Sequence, residues 1–155
     1  MVEKVSEFHE IFNAPILDTP QIPSKERASL RVSLLQEELD ELKKAIKDND
    51  LVEVADALCD LQYVLSGAVL EFGLGEKFVE LFNEVHESNM SKTCDNERQA
   101  KETVDLYSEK GVETYYESVV DSKGFKKYNI YRKLDQKVLK NKDYKPANLK
   151  KILEK

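Results

Sequence analysis

Apolar spacing divides the chain before any single residue does. Residues 3–13 place Val5, Phe8 and Phe12 on one inward helical face. Residues 14–24, APILDTPQIPS, are a proline-spaced connector with no helical period. Ser24 reads as the N-cap of a long helix running to about Lys47. Asp50 opens the next helix, with Glu53 three residues later as in a capping box. That helix runs to about Phe72 and meets the stop signal Gly73-Leu74-Gly75. A fourth helix spans roughly Glu76 to Met90, and a fifth about Asp95 to Lys110, stopped by Gly111.

Beyond Gly111 the period changes. ETYYESVV, the turn DSKG and FKKYNIYRKL are rich in Tyr and Val and alternate in part, which predicts a β-hairpin. QKVLK is a candidate third strand, and PANLKKILEK a last helical turn or two with Pro146 near its start. The expected fold is mainly α: a bundle of four to five helices with a small C-terminal β-hairpin appendage. Residues 1–111 form the helical body, and residues 112–155 form a basic β appendage and terminal helix of the same domain.

Bulk properties narrow the class. A chain of 155 residues favours one domain. The charged fraction, 35%, exceeds the usual ~25% and suits a helix-rich protein with solvated faces. No apolar run reaches the ~18 residues of a membrane span, and the acidic N-terminus is unlike a secretory signal. Cys59 and Cys94 form no CxxC, so a reducing cytoplasm is the expected compartment. Residues 121–155 hold 12 basic and 4 acidic side chains, whereas residues 1–120 hold 12 and 26. The acidic body argues against nucleic acid as a partner. The basic tail either covers an anionic ligand or folds back on that body.

The chemistry concentrates in LLQEELDELKKAIKDNDLVEVADALCDLQ, residues 34–62. On a helical wheel started at Leu34, Leu35, Leu39, Leu42, Ala45 and Ile46 share an arc centred near about 70°. Glu38 falls inside that arc, Glu41 on its edge, and Glu37 one step further out. Arg27 and Arg31 also fall within it, and Arg31 is also a candidate substrate contact. On the second long helix, Glu53, Asp56 and Asp60 form one stripe about 60° wide on a rod otherwise apolar nearly all round. Such a helix is expected to be buried, with its charges facing an interior cleft. A short turn makes the two helices antiparallel, and pairing outward from it sets Glu41 near Ala57 and Glu38 near Asp60.

Like charges about 4 Å apart at a partly buried site cost about 4 kcal/mol at an effective dielectric of 20. Either several of these carboxylates are protonated or cations sit among them. An all-oxygen cluster without His or Cys suits Mg²⁺, with Mn²⁺ as a substitute. Blander roles compete. Glu53 is also a capping-box residue, Glu37 a solvated edge residue, and Asp60 a partner for a lysine or for Arg31. Glu38 and Asp56 resist such readings, because the period puts both inside.

The spacing Glu37-Glu38-x-x-Glu41, eleven residues, then Glu53-x-x-Asp56 resembles the signature of the all-α nucleoside triphosphate pyrophosphohydrolases, the MazG-like and phosphoribosyl-ATP pyrophosphohydrolase-like proteins. The resemblance covers about residues 25–92, and SNMSK, residues 88–92, resembles the Asn/Lys element such enzymes use on the nucleotide. It implies Mg²⁺-dependent hydrolysis of a nucleoside triphosphate to the monophosphate and pyrophosphate. Carried over by motif, Glu38, Glu41, Glu53 and Asp56 are metal ligands, and Asp60 is auxiliary. Glu37 orients or deprotonates the attacking water. Lys92 and Asn89 hold phosphate or sugar; the bland reading of Lys92 is a solvated lysine. Phe12, with Phe8, is expected near the site, where it touches the base.

Two alternatives to an enzyme are a non-catalytic nucleotide- or divalent-metal-binding module and a plain helical scaffold. The apolar excess of the second long helix predicts a homodimer or homotetramer.

Overall fold

A computed structural model describes residues 1–155. Six helices and three strands follow in the order α1 (Val2–Ile11), α2 (Lys25–Asp48), α3 (Leu51–Glu71), α4 (Phe78–Met90), α5 (Glu97–Glu109), β1 (Thr114–Val120), β2 (Lys126–Arg132), β3 (Val138–Leu139) and α6 (Leu149–Leu153). The fold is mainly helical with a small antiparallel sheet. The chain divides into two compact units, Met1–Val79 and Glu80–Lys155. That boundary falls well ahead of Gly111, where the sequence pattern separates body from appendage.

In the first unit the helix ends sit where their caps put them. The Ser24 hydroxyl accepts from the Arg27 N–H, and the Asp50 carboxylate accepts from Val52 and Glu53 N–H. Between α2 and α3 lie only Asn49, in the left-handed conformation at φ 55°, and Asp50. So short a link folds α3 back along α2. The α3 helix is followed by Gly73, φ +66°, where a Cβ would stand 1.9 Å from the Thr19 carbonyl oxygen. Only glycine fits, and the connector lies flat there: Leu17 and Gln21 N–H donate to Leu70 and Phe72 carbonyls, each at 3.1 Å.

Two expectations change here. Val5 is buried, but its companion inside is His9; Phe12 faces outward, 66% exposed, stacked on Phe8 with ring centroids 4.3 Å apart. Phe12 is the C-cap of α1, past the last turn that packs on α3. The all-round apolar α3 is buried only toward its C-terminal half, at Ser66, Gly67, Val69, Leu70 and Glu71, with Ala57 alone nearer its start. Leu51, Val52, Leu58 and Leu65 are exposed, because α1 and α2 are too few to surround the helix.

The second unit has its own core. Cys94, Ala100 and Ile130 are fully buried, with Val104, Tyr107, Tyr116, Tyr128 and Leu139 packed around them. The predicted hairpin forms, with β1 and β2 paired from Thr114↔Arg132 to Val120↔Lys126, and β3 adds to β2. The turn is fastened by the Asp121 carboxylate, which accepts from Lys123 and Phe125 N–H at 2.9 Å each. Cys94 pairs with Tyr128 through both backbone groups, extending the sheet into the loop after α4.

Candidate functional site

The acids of α2 and α3 are brought together. A cleft of about 500 Å³ near the α2–α3 turn is lined by Glu41, Lys44, Ala45, Asp48, Asp50, Glu53, Asp56 and Ala57. Glu41 and Ala57 thus meet at one level, as the antiparallel pairing requires. Glu38 is half-buried further along. Desolvation first, and then the negative charges of Asp60, Glu41, Glu37 and Asp56, push its carboxyl above the ordinary value. One carboxylate therefore feels four others from both helices.

Glu37, Glu41, Glu53, Asp56 and Asp60 are exposed, so the cleft is open to water. As the side chains stand, no three Asp, Glu, His or Cys converge tightly enough to cage an ion. This differs from a closed nest, and repulsion explains it: bare carboxylates turn apart into water unless a cation draws them in. The donor set itself is all oxygen, five or six carboxylates on two facing helices. It fits a hard divalent ion of the Mg²⁺ or Mn²⁺ type. Glu53 is not tied into a reciprocal capping box, because the Asp50 N–H donates to the Ala45 carbonyl at 3.0 Å instead.

Lys44, Asp48 and Asp50 were not singled out by the sequence motif. The signal was present, since Glu37, Glu41, Lys44 and Asp48 recur at four, seven and eleven residues along one helical stripe. Lys44 brings the only positive charge to the cleft lining.

Arg31, expected as a substrate contact, is buried and held in a network with Glu71 and His9. Its Nε donates to Glu71 at 2.9 Å and its Nη2 to Glu71 and to His9 Nε2. Arg27 also donates to Glu71, through Nε at 2.9 Å and through Nη2. Glu71 is 0% exposed. Burial alone would raise its carboxyl, but the bonds from Arg27 and Arg31 outweigh that and hold it below the ordinary range. His9 Nδ1 lies 2.8 Å from the Pro15 carbonyl, which only accepts, so Nδ1 carries the proton and Nε2 receives Arg31. Gly67 makes the room: a Cβ there would stand 2.6 Å from Arg31 Nη1.

Aromatic rings gather on the same unit. Phe12 stacks on Phe8, and Phe8 meets Tyr63 of α3 edge-on at 5.6 Å. Beside them Val5, Leu58, Cys59 and Tyr63 help line an almost wholly apolar hollow of about 370 Å³. Asn89 and Lys92 belong to the second unit, where Lys92 Nζ donates to Asn89 Oδ1 at 2.6 Å.

A family model for phosphoribosyl-ATP pyrophosphohydrolase matches residues 5–89, more than half of the chain. The chain belongs to this family. It is thereby a member of the MazG-like all-α nucleoside triphosphate pyrophosphohydrolase superfamily, whose general chemistry is nucleotide pyrophosphohydrolysis and whose members typically depend on a divalent metal. An uncharacterized protein of Acanthamoeba polyphaga mimivirus is 40% identical over 79 residues, 48% of this chain. The match spans 30% of that viral protein, so the chain covers under a third of its length. No helix is long and apolar enough to cross a membrane.

Proposed function

We propose that the chain hydrolyses a nucleoside or deoxynucleoside triphosphate to the monophosphate and pyrophosphate, with Mg²⁺ as cofactor and Mn²⁺ as its substitute. The observation that carries this reading is the cleft lined by acids of both helices, Glu41, Asp48, Glu53 and Asp56, in a chain of this family. Glu38, Glu41, Glu53 and Asp56 would hold the divalent ions, with Asp60 auxiliary. Such ions offset charge on the phosphate oxygens and the leaving pyrophosphate, and make a water more nucleophilic. Glu37 accepts the proton of that water as its oxygen bonds to the α-phosphorus. The bond from the α-phosphorus to the bridging oxygen then breaks and pyrophosphate departs.

Asn89 and Lys92 are proposed contacts for phosphate or sugar, and Phe12 for the base, through stacking. A homodimer or homotetramer is the proposed assembly, supported by the exposed apolar residues Leu51, Val52, Leu58 and Leu65 along α3.

The test is a panel of nucleoside and deoxynucleoside triphosphates with Mg²⁺, followed by pyrophosphate release. The expected outcome is turnover on at least one, lowered at least about a hundredfold by Glu38→Gln. Release of inorganic phosphate alone, or full activity in Glu38→Gln, would overturn it. The openness of the cleft favours one competitor, a non-catalytic nucleotide or metal binder, which predicts tight triphosphate binding without turnover in either metal.

A further inference from the structure

The segment after the hairpin has no role in the reaction as proposed, yet it grips the end of α4. Asn141, 7% exposed, donates through Nδ2 to the carbonyls of Ser91 at 3.0 Å and Thr93 at 2.5 Å. Its Oδ1 accepts from the Asp143 N–H at 2.6 Å, so the whole amide is used inside the protein. The Tyr144 hydroxyl pairs with the buried Ser88 hydroxyl at 2.8 Å. The Lys145 N–H donates to Ser91 Oγ at 3.0 Å, and Ser91 Oγ donates to the Ser88 carbonyl at 2.8 Å.

A helix C-terminus leaves its last carbonyls unbonded, and one local turn or water usually serves them. Here the local turn serves them, Glu87, Asn89 and Met90 through the N–H groups of Ser91, Lys92 and Thr93 and Ser88 through Ser91 Oγ, and a segment some fifty residues further along the chain then bonds the carbonyls of that turn itself, Ser91 and Thr93. The bonds that reach α4 and the turn after it all land on Ser88, Ser91 and Thr93. The side chains of Asn89 and Lys92, between them, are left out of the clamp. The Lys92–Asn89 bond occupies the one side-chain oxygen of that pair. What remains is two ammonium N–H groups, the Asn89 amide N–H groups and a positive charge. Donors without protein acceptors, on the last turn of α4 and the turn after it, match the oxygens of a phosphate.

We propose that Asn141 is a positioning residue for nucleotide binding: it sets residues 88–93 so that Asn89 and Lys92 present their donors to the phosphates of a nucleoside triphosphate. Tyr144 supports the same helix end through Ser88. The inference rests on the pyrophosphohydrolase reading and extends it to the basic C-terminal segment.

Steady-state pyrophosphate release by the full chain tests it, with the melting temperature of every variant recorded. Asn141→Ala is expected to raise KM roughly tenfold with kcat within about twofold, the signature of lost uniform binding. Tyr144→Phe, which keeps the ring, is expected to raise KM about threefold. Because Asn141 acts through Lys92, Asn141→Ala introduced into Lys92→Ala should change KM by less than about twofold. Equal factors with and without Lys92, or a wild-type KM in folded Asn141→Ala, would reduce Asn141 to a structural staple and overturn the proposal. Should Asn141→Ala fail to fold, Tyr144→Phe carries the same cycle. Should the wild-type chain release no pyrophosphate, the reaction reading fails by itself. The cycle is then read calorimetrically as the dissociation constant of a non-hydrolysable α,β-imido triphosphate, and no coupling there overturns the positioning role.

Discussion

The two units solve opposite problems. Residues 1–79 carry 16 acidic and 8 basic side chains, and residues 80–155 carry 14 and 16. The first unit leaves an apolar helix face and a row of carboxylates open to water. Its largest fully buried side chains are polar, Glu71 and His9, held by Arg27 and Arg31. The second closes a core on Cys94, Ala100 and Ile130, and many of its charges are ion-paired, as in Lys127–Asp95, Arg132–Asp135 and Lys142–Glu102. A region that buries ion pairs while exposing leucine is organised around something besides its own stability. Acids and apolar surface left open together suit a unit completed by cations and by another copy of the chain, as proposed above.

The sharpest way to break this contrast is Glu71→Ala. It leaves the buried Arg31 guanidinium and the partly exposed Arg27 guanidinium uncompensated and should destabilise the first unit by about 3 kcal/mol. Hydrogen exchange would show the loss confined to residues 1–79 if the two units unfold separately; an equal loss of protection at Ile130 would show them to be one cooperative block.

The next effect is the response to cations. Mg²⁺ at 100 times its dissociation constant should stabilise the chain by about 2.7 kcal/mol in a melting scan. Asp56→Asn should remove most of that gain, whereas Asp143→Asn in the second unit should keep it. A gain unchanged in Asp56→Asn would move the metal away from the α2–α3 cleft.

The smallest is the response to acid. The folded-state value of Glu71 lies below its ordinary 4.5. Its contribution is therefore complete above about pH 4.5 and is lost as pH falls through the lower, folded-state value. Below pH 4.5 the stability of the wild-type chain should drop more steeply than that of Glu71→Gln. Parallel curves for the two would show that Glu71 does not carry the acid sensitivity.

What the sequence revealed was local. Ser24, Asp50 and Gly73 are read correctly because a cap is decided by its own residue and the next three. The hairpin is read correctly because its turn, Asp121 to Gly124, bonds to itself. The acidic stripes of α2 and α3 meet as the helical period requires, because a two-residue link leaves few ways to dock. Glu71 was missed because its partners lie 40 and 44 residues away, and no periodicity encodes which arginine finds which carboxylate. The burial of α3 was overestimated for another reason: periodicity reports which face seeks cover, and says nothing of whether this chain supplies it. Lys44 needed only the stripe continued by one more turn.

One consequence follows from the left-handed Asn49 and its neighbour. With so little slack between the rods, the count of residues from Glu41 to Glu53 works as a ruler. Chains that keep these acids are expected to keep that count, however freely the rest drifts. Adding a residue at the bend should misalign the acid rows even with every glutamate retained.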